Sequence, residues 1–179
     1  MIGPYEQTGL NPYDIRIKCA VPPLCYDFSD VTSFLDQPAV QKAIGVDGSP
    51  QTQWQSCNMT VNSQFSADWM KNYQQYAGDL LGNNTRVLIY AGDVDFICNW
   101  LGNQAWTLAL EWSGKAAFNA EGMHDWNGGH GAESPSGQAR SSGPFTFLRV
   151  YDAGHMVPLD QPQAALDMVN NFIFDGKWY

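Results

Sequence analysis

Two short segments of this 179-residue chain carry side chains able to share a proton. One is YDAGHMVP at 151–158, which puts His155 just past an apolar run, and the other is AGDVDFIC at 91–98, with Asp93 and Asp95 two residues apart. A carboxylate on one imidazole nitrogen fixes the ring tautomer and stabilises the imidazolium formed when the other nitrogen takes a hydroxyl proton. A histidine paired in this way is the general base of nucleophilic acyl chemistry. These residue types alone do not separate Asp95 from Asp93, and Asp152 and Asp160 are further candidate partners. The alternatives are a histidine held for packing and, for Asp93, a side chain that stabilises its own turn.

The flanking patterns place both segments just past strands. Residues 145–150 (FTFLRV) are rich in aromatic and β-branched side chains, between Gly143-Pro144 and Asp152-Ala153-Gly154, which predicts a strand ending in a tight loop. Residues 86–91 (RVLIYA) form a near-continuous apolar run, as expected of a strand covered on both faces. A helix is predicted over 99–112, with Leu101, Ala105, Leu108 and Trp112 on one side. A second is predicted beyond 160, where Asp160 and Gln163 resemble a capping pair and Ala165, Met168, Val169, Phe172 and Ile173 recur at helical spacing. The order is strand, aspartate loop, helix, long stretch, strand, histidine loop, helix. Open α/β sheets place their chemistry in loops at strand carboxyl ends, and a triad hydrolase of the α/β type delivers its acid and then its histidine in this order, after the serine.

YAGDVDFICNWLGNQAW (90–106) and FLRVYDAGHMVPLDQPQAALDMVNNFI (147–173) resemble the acid and histidine segments of the serine carboxypeptidase family, in particular its carboxypeptidase Y-like group. The similarity starts at PYEQTGLNPYDIRIKC (4–19), runs to the last predicted helix and weakens over about 114–143. It implies an α/β-hydrolase fold, of which residues 1–179 form a partial domain holding the later part of a mixed, mostly parallel sheet. It implies Asp95 as the acid, His155 as the general base, and release of C-terminal residues from peptides through an acyl-enzyme. By the same resemblance Cys98, Met156, Tyr13 and Tyr26 shape the pocket for the leaving residue, while Ile2 and Trp69 wall the acyl side. Trp69 also fits an ordinary amphipathic helix with Tyr73, Tyr76 and Leu80. Apolar linings of this kind favour hydrophobic residues at the scissile bond.

No serine here sits between small residues after an apolar strand, as a nucleophile elbow requires. Ser134 and Ser136 lie in GAESPSGQ, and Ser141 and Ser142 in RSSG, both polar runs. The resemblance assigns the serine, the oxyanion-hole amides and the acids that hold the substrate carboxylate to an N-terminal half, the expected partner of this chain. Alone, the chain is expected to be inactive. In this fold the acid strand lies beside earlier strands, so VLIYA (87–91) is expected to present an unpaired apolar edge. Other readings are an acyltransferase of the same lineage and a non-catalytic binding subunit; the second has no need of Asp95 and His155.

The resemblance pairs Cys19 with Cys25 across AVPPL (20–24) in a short-loop disulfide and leaves Cys57, whose family partner lies in the N-terminal half, unpaired. A zinc reading fails for want of four ligands near the pair. Asn58-Met59-Thr60 and Asn83-Asn84-Thr85 are glycosylation sequons, making Asn58 and Asn83 candidate acceptors in a secretory route. With the cysteines they favour a vacuole, lysosome or the exterior. MIGPYEQTGL lacks the basic start and apolar centre of a signal peptide, so trafficking information is expected upstream.

Composition agrees with a globular piece: at 44% hydrophobic and 15% charged residues, a core can form. A net charge of −9 leaves no basic patch for nucleic acid, and no apolar run approaches the roughly 20 residues of a membrane span. Residues 114–143, dense in Gly and Ser, predict a surface hairpin or mobile loop. His124, Asp125 and His130 fall within it, but flexible spacing does not preorganise ligands. No metal or organic cofactor is implied.

Overall fold

The computed structural model describes residues 3–46, 53–128, 134–174 and 176–179. In chain order the first elements are α1 (Gly3–Glu6), β1 (Leu10–Asn11) and β2 (Asp14–Lys18), then α2 (Ser29–Leu35), α3 (Pro38–Ala43) and α4 (Met59–Gln64). Next come α5 (Gln74–Gly82), β3 (Val87–Gly92), α6 (Trp100–Ala109) and α7 (Lys115–Ala120). The last are β4 (His124–Trp126), β5 (Gly137–Ser142), β6 (Phe145–Val150), α8 (Val157–Asp160) and α9 (Pro162–Ile173). The chain forms two compact units, Met1–Cys19 with Tyr73–Tyr179, and Ala20–Asn72.

The larger unit is built on a four-stranded mixed sheet in the order β3-β6-β5-β4. β3 and β6 run parallel, while β6 with β5 and β5 with β4 are antiparallel. β6 is buried on both faces because its side chains alternate. Phe145 and Phe147 pack with Leu81, Leu110 and Phe118, whereas Leu148 and Val150 pack with Trp126, Ala139, Val157, Ala165 and Met168. Fully burying side chains of this size contributes about 1.5–3 kcal/mol each, so β6 is the strand on which the unit depends most. β3 ends the sheet, and its exposed Tyr90 fits the expectation of an unpaired edge.

Several expected elements differ in extent. The predicted 99–112 helix stops at Ala109 and turns Thr107 inward, followed by the buried Leu110, leaving Leu101 exposed. The spacing that joined Trp69 to Leu80 does not form one helix: α5 begins at Gln74, and Trp69, Tyr73, Tyr76 and Leu80 are all exposed. On α9 the buried face is Ala164, Ala165 and Met168, while Val169 and Ile173 face out. Periodicity fixes which residues share a face, but what covers that face is a property of the packing. Within 114–143, α7 and the β4–β5 hairpin take up much of the chain, and β5 is an interior strand. Ala139 and Trp126 are buried there although their neighbours are polar.

The smaller unit holds α2, α3 and α4, none with a buried residue. Asn58 is the N-cap of α4, its side chain accepting from Thr60 N and Val61 N, which satisfies two of the helix's orphan donors. Trp54 N donates to Asp36 Oδ1 at 2.7 Å. Cys19 and Cys25 are disulfide-bonded, while Cys57 and Cys98 are free thiols.

Candidate active site

The acid and histidine loops leave neighbouring parallel strands at the same end. Gly92 of β3 is opposite Val150 of β6, so the next residues of each strand meet. Asp93 N donates to Val150 O at 2.9 Å and Val94 N to Ala153 O at 3.1 Å. A Cβ on Gly92 would collide with the carbonyl oxygens of Ala153 and Gly154, so only glycine lets the two loops approach this closely. Asp95 and His155 then face each other.

His155 Nδ1 and Asp95 Oδ2 are 2.9 Å apart, with the carboxylate side chain 3% exposed and the imidazole 40% exposed. The other carboxylate oxygen, Oδ1, accepts the Cys98 backbone N–H at 3.1 Å. Asp95 is thereby hydrogen-bonded from both sides and cannot turn freely. With Nδ1 donating to it, the opposite ring nitrogen, Nε2, faces outward with its lone pair available. Of the four carboxylates left open by the sequence, Asp95 alone meets the ring. Asp93 bonds Arg149, Asp152 is an exposed side chain in a positive-φ turn, and Asp160 accepts the Gly154 N–H at 2.7 Å.

That last bond corrects the expected capping pair. Asp160 is the final residue of α8 and points back to the histidine loop, while α9 has Gln161 as its N-cap without a side-chain capping bond, its amide donating instead to Asp152 O at 3.3 Å. Gln163 instead donates to Asp167 Oδ1 at 3.1 Å. The Gly154 N–H is buried beside the histidine and has no ladder partner, so it claims the nearest carboxylate.

The segment between β1 and β2 straps the two loops together. Pro12 O accepts from Phe96 N and Ile97 N at 3.2 and 3.0 Å, Ile15 N donates to Val94 O at 3.0 Å, and Tyr13 O accepts the His155 N–H at 2.8 Å. Buried Asn11 turns the strap by accepting the Tyr13 N–H on Oδ1 at 2.8 Å. Buried Asp14 anchors it through Arg16, whose guanidinium also donates to Asp152 O at 3.1 Å. The hydrogen bonds from Arg16 hold the Asp14 carboxyl below the usual carboxylate range. Sequence reading missed this strap, since its contacts to the loops are backbone bonds across about 80 and 140 residues of chain, which no local pattern encodes.

Of the residues expected to shape a pocket, three lie at this centre. The Tyr13 ring is tilted against the imidazole with centroids 5.3 Å apart. Met156 follows His155 directly and is half-buried. Cys98 follows Asp95 by three residues; burial first, and the Asp95 charge second, push its thiol up. Tyr26 and Trp69 belong to the smaller unit, where Tyr26 packs edge-on to Phe28 at 6.4 Å and Trp69 is exposed. Ile2 and His130 lie outside the described residues. Asn83 is exposed and its side-chain amide donates to Asp79 O at 2.9 Å. Donor atoms of Asp95, Cys98 and His155 lie within 4.8 Å of one another, but two of the three are already committed to the Asp95–His155 hydrogen bond. His124 lies against Glu121 and stacks on Tyr179, without Asp125 joining it.

Comparison with known proteins covers nearly the whole chain. Residues 3–175 match the family model for serine carboxypeptidases. Carboxypeptidase Y of Candida albicans is 49% identical over 175 residues, 96% of this chain and 31% of that protein. Carboxypeptidase Y homolog A of Sclerotinia sclerotiorum is 49% identical over 179 residues, 98% of this chain and 32% of that protein. Among solved structures, the prohormone-processing carboxypeptidase Kex1(delta)p from Saccharomyces cerevisiae superposes with a TM-score of 0.76 at 27% identity, over 93% of this chain and 36% of that one. The chain thus spans about a third of the length of the curated relatives it matches.

Proposed function

The chain belongs to the serine carboxypeptidase family, and from that premise we propose that it supplies the general base, His155, and its orienting acid, Asp95, to a peptidase that removes C-terminal residues. The observation that carries this reading is the 2.9 Å contact between His155 Nδ1 and a buried, doubly hydrogen-bonded Asp95. In the proposed reaction a serine hydroxyl from a segment outside this sequence gives its proton to Nε2 and attacks the scissile carbonyl carbon. Asp95 stabilises the imidazolium, which then protonates the leaving amine. Water, deprotonated by the same nitrogen, releases the acyl group and restores the serine.

Residues 1–179 act as one part of an α/β-hydrolase domain, inactive without the serine-bearing part. Tyr13, Cys98 and Met156, grouped around His155, line the pocket of the leaving residue. The Cys19–Cys25 disulfide and the two sequons support an oxidising, secretory route to a vacuole, lysosome or the exterior. No helix among the described residues is long and apolar enough to cross a membrane.

The test is hydrolysis of an N-blocked dipeptide with a hydrophobic C-terminal residue at mildly acidic pH, by this chain alone and after co-expression with a serine-bearing N-terminal part. Activity in the combined sample only, abolished by His155→Ala, is the expected result. Hydrolysis by the purified chain alone, unaffected by His155→Ala, would overturn the reading.

A further inference from the structure

We infer that Arg149 is a positioning residue, a clamp on both ends of the acid loop that holds Asp95 against His155. Arg149 lies on β6, opposite Ala91 of β3 in the parallel register and one residue before the end of the strand that leads to the histidine. Its guanidinium donates from Nη2 to Asp93 Oδ2 at 3.3 Å. It also lies over the Trp100 ring, 4.1 Å from the centroid, and near the Tyr151 ring at 5.0 Å. Asp93 precedes Asp95 by two residues, and Trp100, the first residue of α6, follows it by five. One cation on the histidine strand therefore touches the acid loop on both sides of Asp95, and Tyr151 on the path to His155.

Chemistry selects arginine for this place. A planar guanidinium can stack on an indole face and still present N–H groups at its edge to a carboxylate, which a lysine ammonium cannot do together. Asp93 is 15% exposed and Arg149 25% exposed in their side chains, so solvent screens the pair little. The backbone bonds from Asp93 N and Val94 N do not involve the clamp's side chains, so its removal is expected to loosen the loop without dismantling it. Among the described residues the guanidinium meets Asp93, Trp100 and Tyr151 rather than His155; it acts through Asp95. Its importance for a reaction rests on the function proposed above, but its effect on the imidazole does not.

The test uses the 179-residue chain with 15N-labelled histidine. Ring nitrogen shifts of His155, assigned by His155→Gln, report the tautomer, and a slowly exchanging Nδ1-bound proton reports the bond to Asp95. The expected result is a dominant Nδ1–H tautomer in the parent chain. Arg149→Met and Asp93→Asn both lose the protected proton and shift the ring toward the tautomer mixture of free imidazole, with Arg149→Lys in between. Arg140→Met, which removes a different cation over a ring, Arg140 on Phe118 at 5.8 Å, leaves the His155 signals unchanged. Arg149→Met and Asp93→Asn remove charges of opposite sign, so a field effect would move the signals in opposite directions. That outcome, or a folded Arg149→Met with parent-like signals, overturns the inference. Should Arg149→Met not fold, Arg149→Lys and Asp93→Asn decide it by the same signals. These signals require no hydrolysis, so an inactive combined enzyme would sink the peptidase reading and leave the clamp standing.

Discussion

The Asp160 carboxylate accepts the backbone N–H of Gly154 at 2.7 Å, one residue before His155. The bond closes the histidine loop onto the end of α8 and sets the backbone that carries the imidazole. Asp160→Ala leaves a buried N–H without a partner, which costs about 1–3 kcal/mol. Urea unfolding of the chain should show this as a lower midpoint with unchanged slope, and hydrogen exchange at Gly154 should accelerate. Parent-like exchange at Gly154 would mean that the loop holds itself.

Asp95→Asn preserves the shape of the buried side chain, but with its oxygen held by the Cys98 N–H it presents a donor NH2, in place of an acceptor, to Nδ1. The ring then favours the tautomer with its proton on the outward nitrogen, where a base needs a lone pair. In the combined enzyme kcat is expected to fall on the order of 10⁴-fold with KM little changed. A loss confined to KM would assign Asp95 to substrate binding instead.

The Cys98 thiol is pushed up by burial and by the charge of Asp95. Its thiolate is therefore scarce at neutral pH, and Cys98 should alkylate slowly with iodoacetamide, gaining rate only in alkaline solution. Asp95→Asn removes the charge and should speed Cys98 labelling at a fixed pH. Peptide-resolved mass spectrometry separates it from Cys57, the other free thiol. Unchanged labelling in Asp95→Asn would leave burial as the whole cause.

Asp14 titrates low in the folded chain because Arg16 hydrogen-bonds its carboxylate. A carboxyl with a lower pKa folded than unfolded stabilises the fold above the unfolded value and loses that contribution as pH falls through the folded one. Thermal stability of the parent should therefore drop below about pH 4 by more than that of Asp14→Asn. Near neutral pH Asp14→Asn should be about 1–2 kcal/mol less stable, the smaller end reflecting solvent around the half-exposed Arg16. Parallel pH curves for the two proteins would remove Asp14 from the strap's anchorage.

Much of the fold could be read from local pattern. β3 and β6 appear where apolar runs end in Gly and Asp, because a buried strand must be apolar and its exit must turn. The β4–β5 hairpin was less legible. Its residues are polar and glycine-rich, and β5 is interior through main-chain pairing with β6 and the burial of Ala139 rather than through an apolar run of its own. Helix faces were legible only as spacing: Leu101, Val169 and Ile173 follow the expected period yet are exposed. Burial depends on what covers a face, and periodicity does not contain that.

The sequence by itself determined which residue types could share a proton and that two strands would deliver them in the order acid, then histidine. Its motif resemblance singled out Asp95 among four carboxylates. Only the tertiary structure decided how those residues are held. Parallel pairing of β3 with β6 brings residues about 60 positions apart to 2.9 Å. The main-chain strap through Pro12, Tyr13 and Ile15 fixes both loops, and Arg149 takes up contacts with no sequence-local signature. The reason is physical: side-chain chemistry is a local property of the chain, whereas a hydrogen bond between distant segments exists only once the sheet has set their distance.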